Sequence, residues 1–330
     1  MEFVNVVVTA ELDDERLRRI TAISPRIKVT DVSALIRAEQ SGDAIAKKKL
    51  DDLLAEAEVV FGFRFPQDLI TRSPKLKWIQ ASSAGVNRFL DTEMLESPVM
   101  MTNIRGVQSP TIAEFVLSFM LMFVKQAPQC FQLKQEKQWK RLSPTTLRSK
   151  TVGILGLGSI GGEVARLAKT FGMRVLATRR STKQVGRARY VDIMFPPDRL
   201  HQLLAESDFV VIALPLTPET VKFIDEEKLR AMKPTAYLIN IARGDIVDEK
   251  ALIRALEEHW IAGAGLDVFA TEPLPTDSLL WELPNVIISP HIAGSFEDRA
   301  MQGTEIFLEN LRRYLAGKKL LNAVNKKRGY

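Results

Sequence analysis

The fold is decided by residues 151–172, TVGILGLGSIGGEVARLAKTFG, where an apolar run typical of a buried strand turns into an amphipathic helical pattern. Three glycines with the spacing GxGxxG lie at the junction, namely Gly156, Gly158 and Gly161. In such a turn the first glycine permits a tight bend, the second lets a pyrophosphate approach the backbone, and the third lets helix and strand pack closely. The amides of Ser159 and Ile160 would then face the anion along the helix dipole. The stretch therefore predicts a βαβ unit that binds a dinucleotide.

The end of the next predicted strand, MRVLAT at residues 173–178, indicates which dinucleotide is bound. This strand ordinarily ends in an acid that holds the ribose hydroxyls of NAD. Here no Asp or Glu occurs from residue 164 through residue 191. The strand end reads Thr178, Arg179, Arg180 and Ser181. We expect the arginines, helped by the flanking hydroxyls, to bind a ribose 2′-phosphate. A solvated loop is the favoured interpretation for the later basic residues, Lys183, Arg187 and Arg189.

Composition narrows the class of protein. The chain has 330 residues, 46% hydrophobic and 26% charged, which excludes a disulfide miniprotein and a wholly disordered chain. Its net charge of +6 comes from basic residues interspersed with acids, so no nucleic-acid partner is expected. The single cysteine, Cys130, predicts no metal site and a reducing, cytoplasmic location. No secretory signal pattern is present and the most apolar run, residues 115–124, is too short to cross a bilayer, so no membrane association is expected.

Two series of strands and helices divide the chain. Up to residue 103, short β-branched runs alternate with polar helical stretches, and the alternation restarts at Thr151. The pattern is typical of parallel strands joined by crossover helices. Between the two series, an apolar helix is predicted over residues 109–126, followed by a basic stretch that suits an arm or a domain connector. The predicted fold class is α/β, with two doubly wound parallel-sheet domains.

The three histidines differ in their predicted positions. His201 lies in a predicted surface helix and His259 lies near a predicted helix C-terminus, so both are interpreted as structural. His291 follows a predicted strand in NVIISPHIAGS, at the edge where open α/β sheets bind ligands. Because an imidazole ordinarily titrates near neutrality, His291 is the best candidate for a proton carrier. The alternative is a histidine that only forms hydrogen bonds within its loop and takes no part in chemistry.

Two other strand ends supply partners for this histidine. Arg243, in INIARGDIVDE, lies on a predicted turn with Asp248 as the cap of the following helix. A planar guanidinium there could hold a carboxylate at two points. Asp267 and Glu272 follow another strand in GAGLDVFATEPLP, and a carboxylate there could hold the imidazole in one tautomer. All of these side chains follow strands of the sheet that carries the glycine turn.

The chain resembles the D-isomer-specific 2-hydroxyacid dehydrogenase family, which includes glyoxylate/hydroxypyruvate reductases and D-lactate and phosphoglycerate dehydrogenases. The similar segments are GILGLGSIGGEVARLAKTFGMRV, SDFVVIALPLTPET, LINIARGDIVDEKAL, AGAGLDVFATEPLP and LPNVIISPHIAG. The similarity spans at least residues 151–294, and a weaker similarity extends to SSAGVNRF and SPTIAEF. The TRRS strand end departs from the acid that is commoner in the family and is similar to the NADP-using members.

The resemblance implies an architecture and a site. It implies a flavodoxin-like substrate domain over residues 1–103 and 295–330, and a Rossmann cofactor domain over residues 104–294 that includes a dimerisation helix and arm, residues 107–150. It assigns the family's catalytic roles to Arg243, Glu272 and His291. It places Ala84 and Gly85, with Arg243 and His291, at the substrate. It extends the cofactor site to Leu214 and Pro215 at the adenosine, to Asp267 and Thr111 at the nicotinamide, and to Thr220, Ile241 and Ala242.

The predicted function is the reduction of small 2-keto acids to D-2-hydroxy acids, and the reverse oxidation, with NADP(H) preferred and NAD(H) possible. His291 would give a proton to the carbonyl oxygen, Arg243 would hold the carboxylate, and Glu272 would raise the affinity of His291 for its proton. Two alternatives are a non-catalytic, dinucleotide-sensing scaffold of the corepressor type and a strictly NAD-dependent D-hydroxyacid dehydrogenase.

A homodimer is expected from the helix over residues 109–126, which carries apolar residues on more than one face. The basic stretch after it could wrap a neighbouring subunit. The alternative is a helix that is buried within one chain.

Overall fold

The computed structural model describes residues 3–86, 89–297 and 299–328, so Asn87 and Arg88 of the SSAGVNRF segment lie outside the described residues. The chain forms two compact units. Unit 1 comprises Met1–Val107 and Glu297–Tyr330, and unit 2 comprises Gln108–Phe296. The boundaries expected from the sequence, 103/104 and 294/295, lie a few residues before those of the units. Each unit has its own sheet.

Unit 1 contains a sheet of five strands. The strands are β1 (Val4–Val8), β2 (Ile27–Asp31), β3 (Val59–Gly62), β4 (Trp78–Ala81) and β5 (Met100–Thr102). The helices are α1 (Asp14–Thr21), α2 (Ser33–Gln40), α3 (Ala44–Ala55), α4 (Leu69–Arg72), α5 (Thr92–Glu96) and α12 (Arg299–Leu315). The strands are all parallel, in the order β2-β1-β3-β4-β5, which is the flavodoxin-like doubly wound order.

The core of unit 1 lies on both faces of this sheet, because successive side chains of a strand point to opposite faces. Val7 and Ile79 pack on one face with Leu50 of α3. On the other face, the ring of Phe61 stacks on that of Phe307 of α12 at a centroid distance of 4.2 Å. Burial on both faces explains the nearly continuous apolar runs that predicted these strands.

Unit 2 contains a sheet of eight strands. The strands are β6 (Thr151–Leu155), β7 (Arg174–Thr178), β8 (Gly186–Ala188), β9 (Val191–Phe195), β10 (Phe209–Ile212), β11 (Tyr237–Asn240), β12 (Gly263–Leu266) and β13 (Val286–Ile288). The helices are α6 (Ser109–Val124), α7 (Ala127–Gln135), α8 (Ser159–Thr170), α9 (Leu200–Glu206), α10 (Glu226–Arg230) and α11 (Glu249–Glu257). The order β13-β12-β11-β10-β6-β7-β9-β8 confirms the predicted Rossmann arrangement.

The strand order has its switch point between β6 and β10. From β6 the chain moves outward through β7 and β9, and it then returns to β10 and moves outward in the other direction. Strand pairs of this sheet are parallel except for β8 with β9. The carboxyl ends of the parallel strands therefore meet at one edge, where open α/β sheets bind ligands.

One stretch of unit 2 differs from its interpretation as a loop. Residues 186–188 form the antiparallel edge strand β8, so Arg187 lies in a strand, although it is exposed. Tyr190 adopts a left-handed conformation with φ of 63°, which lets the chain fold back so that β8 pairs with β9. The sequence GRA has no apolar alternation, so periodicity did not reveal this strand.

The apolar helix α6 ends at Val124, two residues before its predicted end, because Gln126 turns into a left-handed conformation with φ of 55°. Phe119, Met120 and Phe123 are all buried in the core of unit 2. The expectation that this helix needs a second subunit to cover its faces is therefore not supported by these residues.

Among the described residues, no single helix is long and apolar enough to cross a membrane. The helices α6 and α7 reach that length and hydropathy only when they are counted as one segment, which is bent by 62°.

Candidate active site

The glycine turn joins β6 to α8 with a geometry that suits a bound phosphate. Gly156 has φ of 98°, which glycine adopts without strain, and its N–H donates to the carbonyl oxygen of Thr178 at 3.0 Å. A Cβ atom at Gly161 would lie 2.2 Å from the Gly156 carbonyl oxygen, so this packing excludes any side chain. A Cβ atom at Gly158, the residue that caps α8, would meet nothing within 4 Å. Open space beside the first-turn amides of α8 fits the pyrophosphate of a dinucleotide.

The end of β7 presents two arginines to solvent. Thr178 is the last residue of the strand and is buried, whereas Arg179 and Arg180 are exposed. The Nε atom of Arg179 donates to the Ser181 hydroxyl at 2.8 Å, which orients the guanidinium beside that hydroxyl. The residues that the sequence singled out for a 2′-phosphate are thus grouped on one short turn.

The loop after β10 carries the residues implied for the adenosine. The Thr220 hydroxyl donates to the carbonyl oxygen of Pro215 at 2.7 Å, which folds the loop back on itself. A hydrogen bond from the Thr217 side chain lowers the pKa of Glu219, and the positive charge of Arg180 acts in the same direction. An acidic group therefore lies near one of the two arginines, although no acid occurs on the β7 turn itself.

His291 and Glu272 form a hydrogen-bonded pair. Nδ1 of His291 lies 2.7 Å from Oε2 of Glu272, and because a carboxylate only accepts, the imidazole donates. The other carboxylate oxygen accepts the backbone N–H of Phe269 at 3.1 Å. Both side chains remain partly exposed, with 48% of the histidine and 36% of the glutamate accessible. Because Glu272 contacts Nδ1, the pair could act as a general acid or base through Nε2.

Arg243 lies beside this pair. Burial lowers the pKa of Arg243, and the nearby Glu272 carboxylate opposes that shift. A guanidinium nevertheless stays protonated in proteins, so a positive charge is held next to the carboxylate. The buried Asn240 braces the turn, because its amide donates to the Arg243 carbonyl oxygen at 2.9 Å and accepts from the N–H of Ala242 at 3.0 Å.

Asp267 supports the loop that carries His291. Its carboxylate accepts from the Ser289 hydroxyl at 2.6 Å and from the N–H groups of Ile292 at 2.8 Å and Ala293 at 3.0 Å. His291 itself has φ of 54°, a left-handed conformation that is costly for a residue with a side chain. Of the two carboxylates that could hold the imidazole, Glu272 is in contact with it and Asp267 is buried, with 1% exposure, in bonds to the loop backbone and Ser289. The implied approach of Asp267 to the nicotinamide stays a prediction.

The other predicted residues of unit 2 follow strands of the same sheet or lie on α6 and α8. Ser159 and Ile160 form the first turn of α8, Thr111 lies in the first turn of α6, Leu214 follows β10, and Ile241 and Ala242 follow β11. Ala84 and Gly85 follow β4 in unit 1. His201 and His259 lie on α9 and just after α11, and Asp248 caps α11 as predicted.

Asn240, Ser289 and Gly244 were missed by the sequence analysis. A Cβ atom at Gly244 would lie 1.9 Å from the carbonyl carbon of Phe269, so this glycine lets the turn of Arg243 pack against the loop that leads to Glu272. The only sequence signal for Asn240 was an amide in an otherwise apolar strand, close to Arg243 in the chain. A buried amide of this kind requires a hydrogen-bond partner.

Residues 117–293 of this chain match the family model described as "D-isomer specific 2-hydroxyacid dehydrogenase, NAD binding domain". Among curated relatives, the glyoxylate reductase of Korarchaeum cryptofilum is 37% identical over 264 residues, which cover 78% of this chain and 79% of the relative. The glyoxylate/hydroxypyruvate reductase B of Pectobacterium carotovorum is 38% identical over 284 residues, which cover 82% of this chain and 87% of the relative.

Two solved structures are also similar. A D-isomer specific 2-hydroxyacid dehydrogenase from Xanthobacter autotrophicus, in complex with NADPH and MES, has a TM-score of 0.84 at 31% identity and covers 100% of both chains. An NADPH-dependent glyoxylate/hydroxypyruvate reductase from Sinorhizobium meliloti, in complex with NADP and sulfate, has a TM-score of 0.83 at 26% identity and covers 99% of this chain and 100% of that chain. With its glycine turn and its Arg, Glu and His side chains grouped at one sheet edge, this chain belongs to the D-isomer-specific 2-hydroxyacid dehydrogenase family of oxidoreductases.

Proposed function

We propose that this enzyme reduces small 2-keto acids of the glyoxylate and hydroxypyruvate type to D-2-hydroxy acids, with NADPH as the preferred cofactor. The observation that carries the proposal is the contact between Nδ1 of His291 and Oε2 of Glu272, next to the charge of Arg243. The relatives from Korarchaeum and Pectobacterium, which are named as reductases of these acids, support the substrate class.

His291 is the proton donor in this reaction. Because Nδ1 is bonded to Glu272, the proton passes from Nε2 to the carbonyl oxygen of the keto acid. The nicotinamide, when bound, supplies the hydride that adds to the carbonyl carbon. The carbonyl double bond is thereby replaced by a C–H and an O–H bond, and solvent reprotonates His291.

Glu272 and Arg243 prepare the acid and the substrate. The Glu272 carboxylate stabilises the protonated imidazole and fixes the ring orientation. Arg243 binds the substrate carboxylate at two points and polarises the keto group, since a guanidinium presents parallel N–H donors.

NADPH is preferred because of the turn after β7. Arg179 and Ser181 together offer a positive charge and a hydroxyl to a 2′-phosphate, and their mutual contact of 2.8 Å holds both on one side of the turn. The NADPH in the Xanthobacter structure and the NADP in the Sinorhizobium structure support this choice. NADH is expected to be used less efficiently.

Unit 2, which carries the glycine turn, holds the cofactor, and unit 1 contributes to substrate binding. In unit 1, the backbone at Ala84 and Gly85, which follow the carboxyl end of β4, is the part proposed to bind the substrate carboxylate. This division follows the sequence assignment of residues 1–103 and 295–330 to the substrate domain and of residues 104–294 to the cofactor domain.

The two alternatives raised by the sequence are not favoured. A non-catalytic, dinucleotide-sensing scaffold is disfavoured because the curated relatives are named as reductases. A strictly NAD-dependent dehydrogenase is disfavoured by the two arginines after β7 and by the NADP-type cofactors of the similar structures.

The proposed assembly is a homodimer, with residues 107–150 at the interface. Phe131 of α7 and Trp139 of the following segment are 60% and 99% exposed, so this arm presents aromatic surface to solvent. A second copy of the arm region would cover it. Light scattering at micromolar concentration tests this assembly, and a mass of 37.1 kDa, that of one chain, would contradict it.

We also propose a cytoplasmic location, supported by the one cysteine, Cys130, an exposed free thiol. Fractionation of the source cells tests it.

A panel of substrates tests the function. Glyoxylate, hydroxypyruvate, pyruvate and a bulky 2-keto acid are each mixed with enzyme and NADPH, and loss of the reduced-cofactor absorbance is followed. We expect turnover with at least one of glyoxylate and hydroxypyruvate. Absence of turnover with every acid, in parallel assays with NADPH and with NADH, would refute the proposal.

A further inference from the structure

The segment after α12 returns to unit 1 and pairs with β5. Ala323 forms an antiparallel bridge with Thr102, and the N–H of Val324 donates to the carbonyl oxygen of Met101 at 2.8 Å. Residues 321–324 thus form an added edge beside β5. Helix α12 holds the segment in place, because the side chain of its buried Asn310 accepts a hydrogen bond from the N–H of Leu321 at 2.7 Å.

The side chain of Asn322 extends this pairing beyond the end of β5. Its amide donates to the carbonyl oxygens of Asn103 at 3.2 Å and Arg105 at 2.8 Å. Asn322 adopts a left-handed conformation with φ of 55°, which asparagine tolerates better than most residues. The conformation of residues 103–105 is therefore fixed by a residue more than 200 positions away in the chain.

Residues 103 and 104 in turn hold the loop that follows β4. Asn103 is 3% exposed, and its amide donates to the carbonyl oxygen of Ala84 at 2.7 Å. The N–H of Ile104 donates to the carbonyl oxygen of Ser83 at 3.3 Å. Two successive carbonyl groups of the loop are thus directed toward residues 103 and 104.

The peptide geometry then determines where the amides of the loop point. In a trans peptide the C=O and N–H groups of one plane point in opposite directions. The Ser83 carbonyl shares its plane with the Ala84 N–H, and the Ala84 carbonyl shares its plane with the Gly85 N–H. Both N–H groups must therefore point away from residues 103 and 104, toward the same side. Two successive amides with this orientation form a cradle for an anion.

We infer that Asn103 and Asn322 are positioning residues that orient the amides of Ala84 and Gly85 to receive the substrate carboxylate. The inference rests on the proposed function for the chemistry of the anion. Neither asparagine touches the substrate. Asn322 fixes residues 103–105, Asn103 fixes the Ala84 carbonyl, and the amides on the far side of the loop bind the acid.

Two isosteric variants test the inference. Asn103→Asp keeps the oxygen that accepts the N–H of Arg105 but places a second oxygen against the Ala84 carbonyl. Asn322→Asp removes both donations to residues 103 and 105. We expect each variant to raise the KM for the keto acid by about tenfold, because a charge-assisted contact is misaligned, with kcat changed by less than about twofold. The KM for NADPH should not change, because the glycine turn and the β7 turn belong to unit 2.

Lys326→Met is the matched control. Lys326 also holds the chain after α12 in place, because its ammonium group donates to the carbonyl oxygens of Met94 at 2.8 Å and Ser97 at 2.5 Å. These hydrogen bonds do not involve residues 103–105. We expect this variant to lower the thermal unfolding midpoint and to leave the KM for the keto acid unchanged. An equal rise in KM in the control and in the asparagine variants would overturn the inference, since it would indicate general loosening of unit 1.

Calorimetry with oxalate in the presence of NADP⁺ separates the inference from the proposed function, because binding of this unreactive diacid does not need turnover. Weaker oxalate binding by Asn103→Asp supports the inference even if the unmodified enzyme reduces none of the keto acids, in which case the proposed function alone fails. Equal oxalate affinities in Asn103→Asp and the unmodified enzyme, or no oxalate binding by the unmodified enzyme, overturn the inference.

Discussion

Nδ1 of His291 donates to Oε2 of Glu272 across 2.7 Å, while Oε1 of the same carboxylate is held by the backbone N–H of Phe269. The carboxylate is therefore held by one hydrogen bond at each oxygen. The loop of His291 is fixed separately by Asp267. These contacts fix the orientation of the ring, and we expect Nε2 to transfer the proton.

Replacement of His291 by glutamine should remove the proton donor without removing the cofactor site. We expect kcat for keto-acid reduction to fall by on the order of 10² to 10⁴, which is the usual contribution of a general acid. The Kd for NADPH, measured by cofactor fluorescence, should stay within about twofold of the original value. Reduction at nearly the original rate would assign the proton to another group.

Glu272→Gln should shift the pH dependence rather than abolish turnover. Glutamine can still accept the hydrogen bond from Nδ1, but it lacks the negative charge that stabilises the imidazolium. The alkaline limb of the kcat/KM profile for reduction should therefore move to lower pH. A profile that coincides with that of the unmodified enzyme would exclude Glu272 from the proton transfer.

Arg243→Lys should impair use of the keto acid more than use of the cofactor. A lysine ammonium keeps the charge but cannot present two parallel donors to a carboxylate. We expect kcat/KM for the keto acid to fall by on the order of tenfold to a hundredfold, with the KM for NADPH unchanged. Unchanged kinetics with the keto acid would mean that Arg243 does not bind the carboxylate.

Gly158→Ala should separate cofactor binding from folding. The added methyl group meets no protein atom within 4 Å, so the thermal unfolding midpoint should not fall, yet it would occupy the space expected for the pyrophosphate. The Kd for NADPH should rise by at least about tenfold. Gly162→Ala is the control, because its Cβ atom also meets nothing within 4 Å but lies farther along α8. Equal NADPH affinities in the two variants would contradict this location of the pyrophosphate.

The sequence predicted those features of the site that depend on local spacing. The GxGxxG spacing predicted the turn between β6 and α8, and positions after apolar strands singled out Arg243, Glu272 and His291. The choice between Asp267 and Glu272 as the partner of the imidazole was left open by the residues alone, because both carboxylates follow β12. Only the fold shows that Asp267 is turned toward the backbone of the histidine loop.

Features that depend on distant parts of the chain were not predicted. Gly244 is required because Phe269, 25 positions later, packs against it at a distance that excludes a methyl group. The burial of α6 also depends on distant parts of the chain, since it shares a core with Val152 of β6 and Ala165 of α8. Hydrophobic periodicity shows that a face is buried but does not identify what covers it.

We expect the cofactor preference to depend on Arg179 and Arg180 after β7. A 2′-phosphate carries nearly two negative charges, and each arginine that binds it contributes about 1.5 to 3 kcal/mol, or roughly tenfold to a hundredfold in affinity. We expect Arg179 to be the main contact, because it is already oriented by Ser181, whereas the charge of Arg180 also acts on Glu219. Arg179→Ala should therefore lower kcat/KM for NADPH by at least about tenfold and leave that for NADH nearly unchanged.

Arg187→Ala is the matched control for this prediction, because it removes the same charge from an exposed position on the edge strand β8. It should leave the ratio of kcat/KM for NADPH to that for NADH unchanged, and any small loss should disappear as salt is raised. The loss in Arg179→Ala should persist at moderate salt, since a direct hydrogen bond is screened less than a distant charge. Equal or better kinetics with NADH in the unmodified enzyme would show that the turn after β7 does not select for the 2′-phosphate.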